Sequence, residues 1–440
     1  TNNGSTASTD SPFDDPAAHV FGESGSESVI KCGSYKSSGD GTGSWINVDL
    51  GWEPQFIIVK DADSSNDWIM QDCIRGMPVN AGSHGDYLLP NTNGAEGSVG
   101  NAQWIMPTPT GFIATNAGLI NMFNAAREYI YIAIRRSDGY VGKPPELGTD
   151  VFNIDLDGTN NGDPSWVSGF PVDMQFLKDR AGTSFPWFLS TRLTQGKYLS
   201  TQSTADEIAS SVYQFDYPNG WGNYSSANGL TSWQWKRHAG MDVVTYKGSN
   251  SSHNEVPHNL GKVPEMLWIK ARDRSALWVV YHKGLNGGTN PNTYYLALNG
   301  TGAESAWNWS DSTPPTSTHF TVSSGDKINF DENYLALLFA SVDGISKVGS
   351  YTGSSSAQTI TTGFQPRFLI IKRRNSSQNW LVFDTARGWG SGNDKSLKLN
   401  TSDTQGTWDA GAPTSTGFTL VGGIDTTNNS AGEYIYYAHA

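Results

Sequence analysis

The stretch Gly51, Trp52, Glu53, Pro54, Gln55, Phe56, Ile57, Ile58, Val59, Lys60, with Trp68 eight residues after the lysine, occurs three times at one spacing. The second copy runs Gly261, Lys262, Val263, Pro264, Glu265, Met266, Leu267, Trp268, Ile269, Lys270 with Trp278. The third runs Gly363, Phe364, Gln365, Pro366, Arg367, Phe368, Leu369, Ile370, Ile371, Lys372 with Trp380. In each, proline precedes lysine by six positions and lysine precedes tryptophan by eight. A looser copy, with Gly169, Phe170, Pro171, Phe176, Leu177, Lys178 and Trp187, is one residue longer in each interval. The short apolar run reads as a fully buried strand, entered by a proline where a missing N–H costs least. The hydrophilic residues before the tryptophan, such as Asp61 to Asp67, read as a hairpin turn into the next strand.

Other landmarks keep phase with this block. Ahead of it stand Gly33, Ser34, Tyr35 and Gly349, Ser350, Tyr351, with Thr245, Tyr246, Lys247 and Gly248 in the corresponding place. Behind it comes a Thr-x-x-x-Phe turn at Thr108 to Phe112, Thr316 to Phe320 and Thr414 to Phe418. An aromatic strand then closes the unit: Glu128 to Ala133, Asn333 to Leu338 and Glu433 to Ala438. The second unit shows no clear closing strand, and Ser232 to Lys236 stands in for it. No window carries helical periodicity, since Gly, Pro or Asn interrupts every candidate. The expectation is all-β: a tandem array of four β-sandwich units of jelly-roll or lectin-like type, at 20–145, 146–243, 244–345 and 346–440, after a linker or arm at 1–19. Each unit is expected to hold its own core, so that loss of the fourth leaves the others folded.

Composition narrows the function. With 42 Asp and Glu against 29 Lys and Arg and no basic run, the chain lacks the cationic surface of a nucleic-acid binder. Its apolar runs are far shorter than the ~20 residues that span a bilayer, so no membrane insertion is expected. The two cysteines, Cys32 and Cys73, exclude a disulfide-stapled scaffold and read as small buried side chains or one optional bridge. The eight histidines are scattered without metal spacing, and no nucleophile elbow or phosphate loop occurs. The loop Asn153, Asp155, Asp157, Gly158, Asn161, Asp163 approaches calcium-turn spacing but lacks the terminal glutamate, and reads as a solvated turn. Neither catalytic residue, metal nor cofactor is assigned, and the reading is non-enzymatic.

The repeated block, the Thr-x-x-x-Phe turn and the Glu-Tyr-Ile-Tyr closing strand resemble the tandem C-terminal repeat domain of tail-fibre-like virion proteins from marine bacteriophages, cyanophages among them. The resemblance covers units one, three and four well. It implies a location in a virion appendage and supplies no binding residue.

The repeated Lys60, Lys178, Lys270 and Lys372 read as structural cations at strand ends, and Trp68, Trp187, Trp278 and Trp380 as core. The alternating pairs Trp233 and Trp235, and Trp307 and Trp309, read as one face of a strand at a core or interface. Trp221, with Tyr224 beside it, and Trp389 are flanked by glycines and read as loop aromatics. Packing between domains or subunits is the favoured use, and exposed rings there would otherwise stack on sugar faces. The leading function is a phage fibre or related appendage, spacer and host-surface attachment in one. Its partners are copies of itself in a homo-oligomer such as a trimer, other virion proteins and a host glycan. A secreted lectin, adhesin or filament subunit is the alternative, and a polysaccharide depolymerase the third.

Overall fold

The computed structural model describes residues 28–37, 46–79, 85–98, 105–115, 127–141, 144–180, 185–224, 229–325 and 327–440, so the expected arm at 1–19 lies outside it. The described chain is all-β, with short 3-10 turns its only helical pieces. Four units follow one another, each with a large antiparallel sheet in which four equivalent strands keep one order: opening, closing, lysine, tryptophan. Opening strands are Ile30–Lys36, Phe152–Leu156, Met241–Lys247 and Ser346–Thr352. Lysine strands, named for the repeated residue, are Pro54–Asp61, Met174–Asp179, Met266–Ala271 and Phe368–Arg373. Tryptophan strands, which follow the repeated indole, are Ile69–Asp72, Phe188–Thr191, Val279–His282 and Leu381–Asp384. Closing strands are Glu128–Arg135, Leu230–Trp235, Asn333–Phe339 and Glu433–His439.

The register is common to all units, with Lys60, Lys178, Lys270 and Lys372 opposite Ile130, Thr231, Leu335 and Ile435. The faint closing strand of unit two is thus Leu230–Trp235, close to its expected place. One boundary shifts: Met241–Lys247 is a single strand, so units two and three divide between 235 and 241 rather than at 243.

A small sheet covers one face of each large sheet, and its pairs are Ile46–Asp49 with Gly111–Ala114, Trp166–Val167 with Gly220–Trp221, Asn254–Pro257 with His319–Val322, and Gln358–Thr361 with Gly417–Leu420. The phenylalanine of each Thr-x-x-x-Phe turn enters the space between the sheets. Phe112 meets Tyr131, Phe320 meets Tyr246 and Phe418 meets Tyr436, all edge to face. A stacked tyrosine pair joins opening and closing strands in three units: Tyr35 with Tyr129, Tyr246 with Tyr334 and Tyr351 with Tyr434. The glycine of Gly-Ser-Tyr has a steric cause, because a Cβ on Gly33 or Gly349 would lie about 2.5 Å from the Tyr131 or Tyr436 ring. Unit three solves the same packing in reverse, with Val244 opposite Ala336.

The other face of the large sheet distinguishes the units. In units two, three and four it is buried in one continuous apolar core containing Phe176, Trp187, Trp233 and Trp235, Trp268, Trp278, Leu337 and Phe339, and Ile370, Trp380, Ile435 and Tyr437. Each unit keeps a separate inner core as well. The expectation of self-sufficient units is therefore corrected: units two to four share half of what they bury. Truncation before Ser346 should expose the central faces of units two and three, with loss of their cooperative unfolding and new binding of a hydrophobic dye. Trp380→Ala should cost about 3–5 kcal/mol in denaturant titration.

Buried histidines add a pH dependence. Burial pushes His238, His282 and His439 down to about 3 and His258 down to about 4. Unfolding returns each to about 6.5, so between these values the unfolded chain binds more protons and stability falls as pH drops. Asp242 and Asp216 oppose this, because burial raises them to about 6 and about 7. Asp155 and Asp394 are raised by burial as well, by less, and the four histidines outweigh these carboxyls, so unfolding near pH 5 takes up protons. The slope of unfolding free energy against pH measures that uptake, and a flat or falling slope would contradict it.

Candidate assembly surface

The repeated tryptophan and lysine explain how the shared core closes. After the hairpin turn, the Trp278 indole N–H of unit three donates to the Ser200 carbonyl of unit two at 2.9 Å. Trp380 of unit four donates to Ala297 of unit three at 3.0 Å, and Trp187 of unit two donates to Lys398 of unit four at 2.8 Å. Three, two and four are thereby joined head to tail in a closed ring.

A second contact recurs seven residues beyond each acceptor. The Glu207 N–H donates to the Arg272 carbonyl, Glu304 to Arg374 and Gln405 to Arg180. At two junctions the same residues form ion pairs, Arg272 with Glu207 at 2.9 Å and Arg374 with Glu304. At the third, Gln405 replaces the acid and Arg180 turns to Asp157 of its own unit. Aromatic contacts complete each junction: Phe176 with Trp268, Phe339 with Tyr437, and Trp235 with Phe368.

The lysines bind carbonyls rather than carboxylates. Lys60 Nζ donates to Asp61 and Ser64, and Lys270 Nζ to Ala271 and Arg274. Lys372 reaches Gln378 and also Thr301 of unit three, while Lys178 reaches Phe185 and also Ser402 of unit four. Burial pushes Lys178, Lys270 and Lys372 down to about 8. They are structural, as expected, and two of them also fasten the ring.

Unit one lies outside the ring, mounted on units two and three by buried charges. Arg237 of unit two contacts Glu53 at 2.9 Å and Asp173 at 3.4 Å, and Arg136 bridges Glu53 at 3.2 Å and Asp242 at 3.3 Å. Burial would raise Asp173, but Arg237, Arg192 and Arg136 outweigh it and hold the carboxyl below its usual range. Main-chain contacts add to the mount, with Val79 N–H on the Leu193 carbonyl at 2.7 Å and Arg272 on the Val79 carbonyl at 2.9 Å.

Among the described residues, unit one leaves open the sheet face that the other units bury. Ile30, Ile130 and Ile132 are each 41% exposed, while their equivalents Met241, Leu335 and Leu337 are fully buried. Trp68 is only half-buried, which departs from the core position expected of it, and Cys32 on the same face is exposed. A shallow depression of about 240 Å³ lies here, lined by Ile58, Trp68, Pro90, Asn91 and Ile132.

The aromatic residues proposed for sugar stacking are placed elsewhere. Trp221 is fully buried, stacked on Trp166 at 4.6 Å with its N–H on Ser232 Oγ. Tyr224 packs edge-on against Trp166 and donates to the Tyr213 hydroxyl at 2.9 Å. Trp389 is buried against Phe383 and Phe418 and donates to the Gly411 carbonyl at 3.0 Å. The expectation of exposed rings at Trp221 and Trp389 is corrected: Gly220 lets its strand approach the Trp166 backbone, and Gly222 and Gly388 take positive φ, so that both indoles are turned over a core. Trp233 and Trp235 do share the ring-facing side of a strand. Trp307 and Trp309 instead follow a strand in a loop, Trp309 buried and Trp307 half-buried under the Lys327 ammonium. In the acidic loop, Asp155 accepts the Val167 N–H and Asp157 pairs with Arg180. Among the described residues, no group of three or more His, Cys, Asp or Glu is placed to hold a metal ion.

Fold and surface define a class: a multi-unit all-β protein whose repeated residues join sheet to sheet and unit to unit. The chain belongs to the family described as a domain of unknown function, DUF7483, which matches residues 3–137 and 157–440. No curated protein matches it.

The mount of unit one is open to a direct test. Arg237→Ala would leave Glu53, Asp173 and Asp242 buried without their shared cation, at a cost of about 3–5 kcal/mol. Limited proteolysis should then cut the segment 136–151 faster than in the parent protein.

Proposed function

We propose that this chain is a structural subunit of a virion appendage, a tail fibre or a related attachment, assembled from lectin-like β-sandwich units. In this reading the ring of units two to four is a stiff spacer block, and its outward turns meet a host-surface glycan. The observation that carries the reading is the fate of the repeated residues, since lysine, tryptophan and aromatic positions alike serve contacts between sheets and between units. Such a chain is built to hold shape and to join copies of a module, which is the demand on a fibre. The depressions on its surface are shallow and open, as at Lys262, Glu265, Tyr281 and Ser341, a form suited to surface contact rather than to enclosing a substrate. The resemblance of the block to the repeat of marine-phage fibre-like proteins supports the location.

Gold-labelled antibody against residues 244–440, applied to intact particles from the source, is expected to decorate a tail or surface appendage in electron micrographs. Protein recovered free of particles, with particles unlabelled, would overturn the reading.

A further inference from the structure

We propose that unit one is a trimerisation module: three chains join their first units around a three-fold axis, in the arrangement that units two, three and four form within one chain. The argument starts from equivalence of position. Ile30, Cys32, Phe56, Ile58, Trp68, Met70 and the isoleucines 130, 132 and 134 occupy the places of Met241, Val243, Met266, Trp268, Trp278, Val280, Leu335, Leu337 and Phe339. In unit three every one of these lies in the ring core, and in unit one the face is open.

The polar groups of a ring junction recur in unit one at the equivalent positions. Each ring acceptor, Ser200, Ala297 or Lys398, lies two residues before a side chain that accepts the tryptophan backbone N–H of its own unit: Gln202, Asn299 or Asn400. Unit one repeats this with Asn91 on the Trp68 N–H, which marks Leu89 as the matching acceptor. The Leu89 carbonyl takes the Thr92 N–H, as Ala297 takes Gly300, and its second position is held by the exposed Thr92 hydroxyl, which an incoming indole N–H would displace. Among the described residues the Trp68 indole N–H meets no acceptor, the Ala62 carbonyl no donor and the Glu96 N–H no acceptor. Ala62 and Glu96 stand where Arg374 and Glu304 pair their backbones across the ring.

One copy thus carries both halves of a head-to-tail contact, donor at Trp68 and Glu96, acceptor at Leu89 and Ala62. Such an interface closes after the number of copies its rotation dictates. The same fold in the same register closes after three within this chain. Cys32 then sits with Val243 and Val348 among core positions, which accounts for a thiol on an otherwise apolar face.

Light scattering on the full chain tests this directly. The expected mass is about 143 kDa, three times 47.6 kDa, with the Cys32 thiol slow to react. Ile132→Lys and Trp68→Glu should each give a single chain whose circular dichroism matches the parent and whose Cys32 reacts quickly. A parent protein of one chain, its face bare or covered by its own amino-terminal segment, would overturn the proposal. So would a two-chain species, or a three-chain species that survives both substitutions. A three-chain protein absent from particles would refute the fibre reading alone, and a one-chain protein found on an appendage would refute the trimer alone.

Discussion

A sheet whose two faces are both apolar must be covered twice, and this architecture follows from that requirement. The closing strand Glu433–His439 shows it in seven residues: Tyr434, Tyr436 and Ala438 face the small sheet, and Ile435 and Tyr437 face the ring. One small sheet within the unit covers the first face. The second face lies beyond the reach of its own unit, because the hairpins return the chain to the same side, and only another large sheet offers enough apolar area. Three such sheets around an axis solve the problem for one another.

Apolar burial alone would let the sheets slide, and the ring is indexed by a few directional contacts. The indole to carbonyl bond fixes where the turn of one unit meets the next, and the backbone pair at Glu207 and Arg272, or Glu304 and Arg374, fixes it again seven residues on. The third junction relaxes one contact and adds another. Gln405 replaces the acid, but Trp233 donates to Asp384, which also holds Arg387 at 2.6 Å. Unit two also receives unit one through Asp173 and Arg237, a contact that unit three shares through Asp242.

Much of the fold was legible because spacing encodes strand pairing. The six-residue and eight-residue intervals place lysine and tryptophan at fixed points of one hairpin, and the register bears this out in units one, three and four. Unit two was legible in outline, and its closing strand, short of tyrosine but rich in tryptophan, was recognised only weakly. The shared core was not foreseen, although its signal is present: Ile435 and Tyr437 alternate with Tyr434, Tyr436 and Ala438, leaving no polar face. A one-sided sheet would alternate apolar with polar residues. The tryptophans proposed for sugar were misplaced for a related reason. Flanking glycines signal a turn, but they do not say on which side of the backbone the ring lies, and Trp221 and Trp389 both point inward.

Unit one is attached in a different physical manner from its relatives, and the difference bears on its role. Within the ring most of the contact is that of a domain interior, apolar burial indexed by a few hydrogen bonds and ion pairs, and Val79 and Met106 of unit one reach into it. The mount of unit one instead centres on Glu53, Arg136, Arg237, Asp173 and Asp242, a buried set of charges whose desolvation offsets much of its attraction. Such a network adds little net stability, yet it tolerates few geometries, since each carboxylate must meet its guanidinium. It therefore holds the open face of unit one at a fixed angle to the ring, with the linking strand end at Arg135 and Arg136 as the pivot. In the proposed trimer, an apolar face carried at a set orientation on a rigid block is presented to each copy at the same angle. Direction supplied by charge, and strength supplied by the uncovered sheet, are the two properties that a repeating assembly requires.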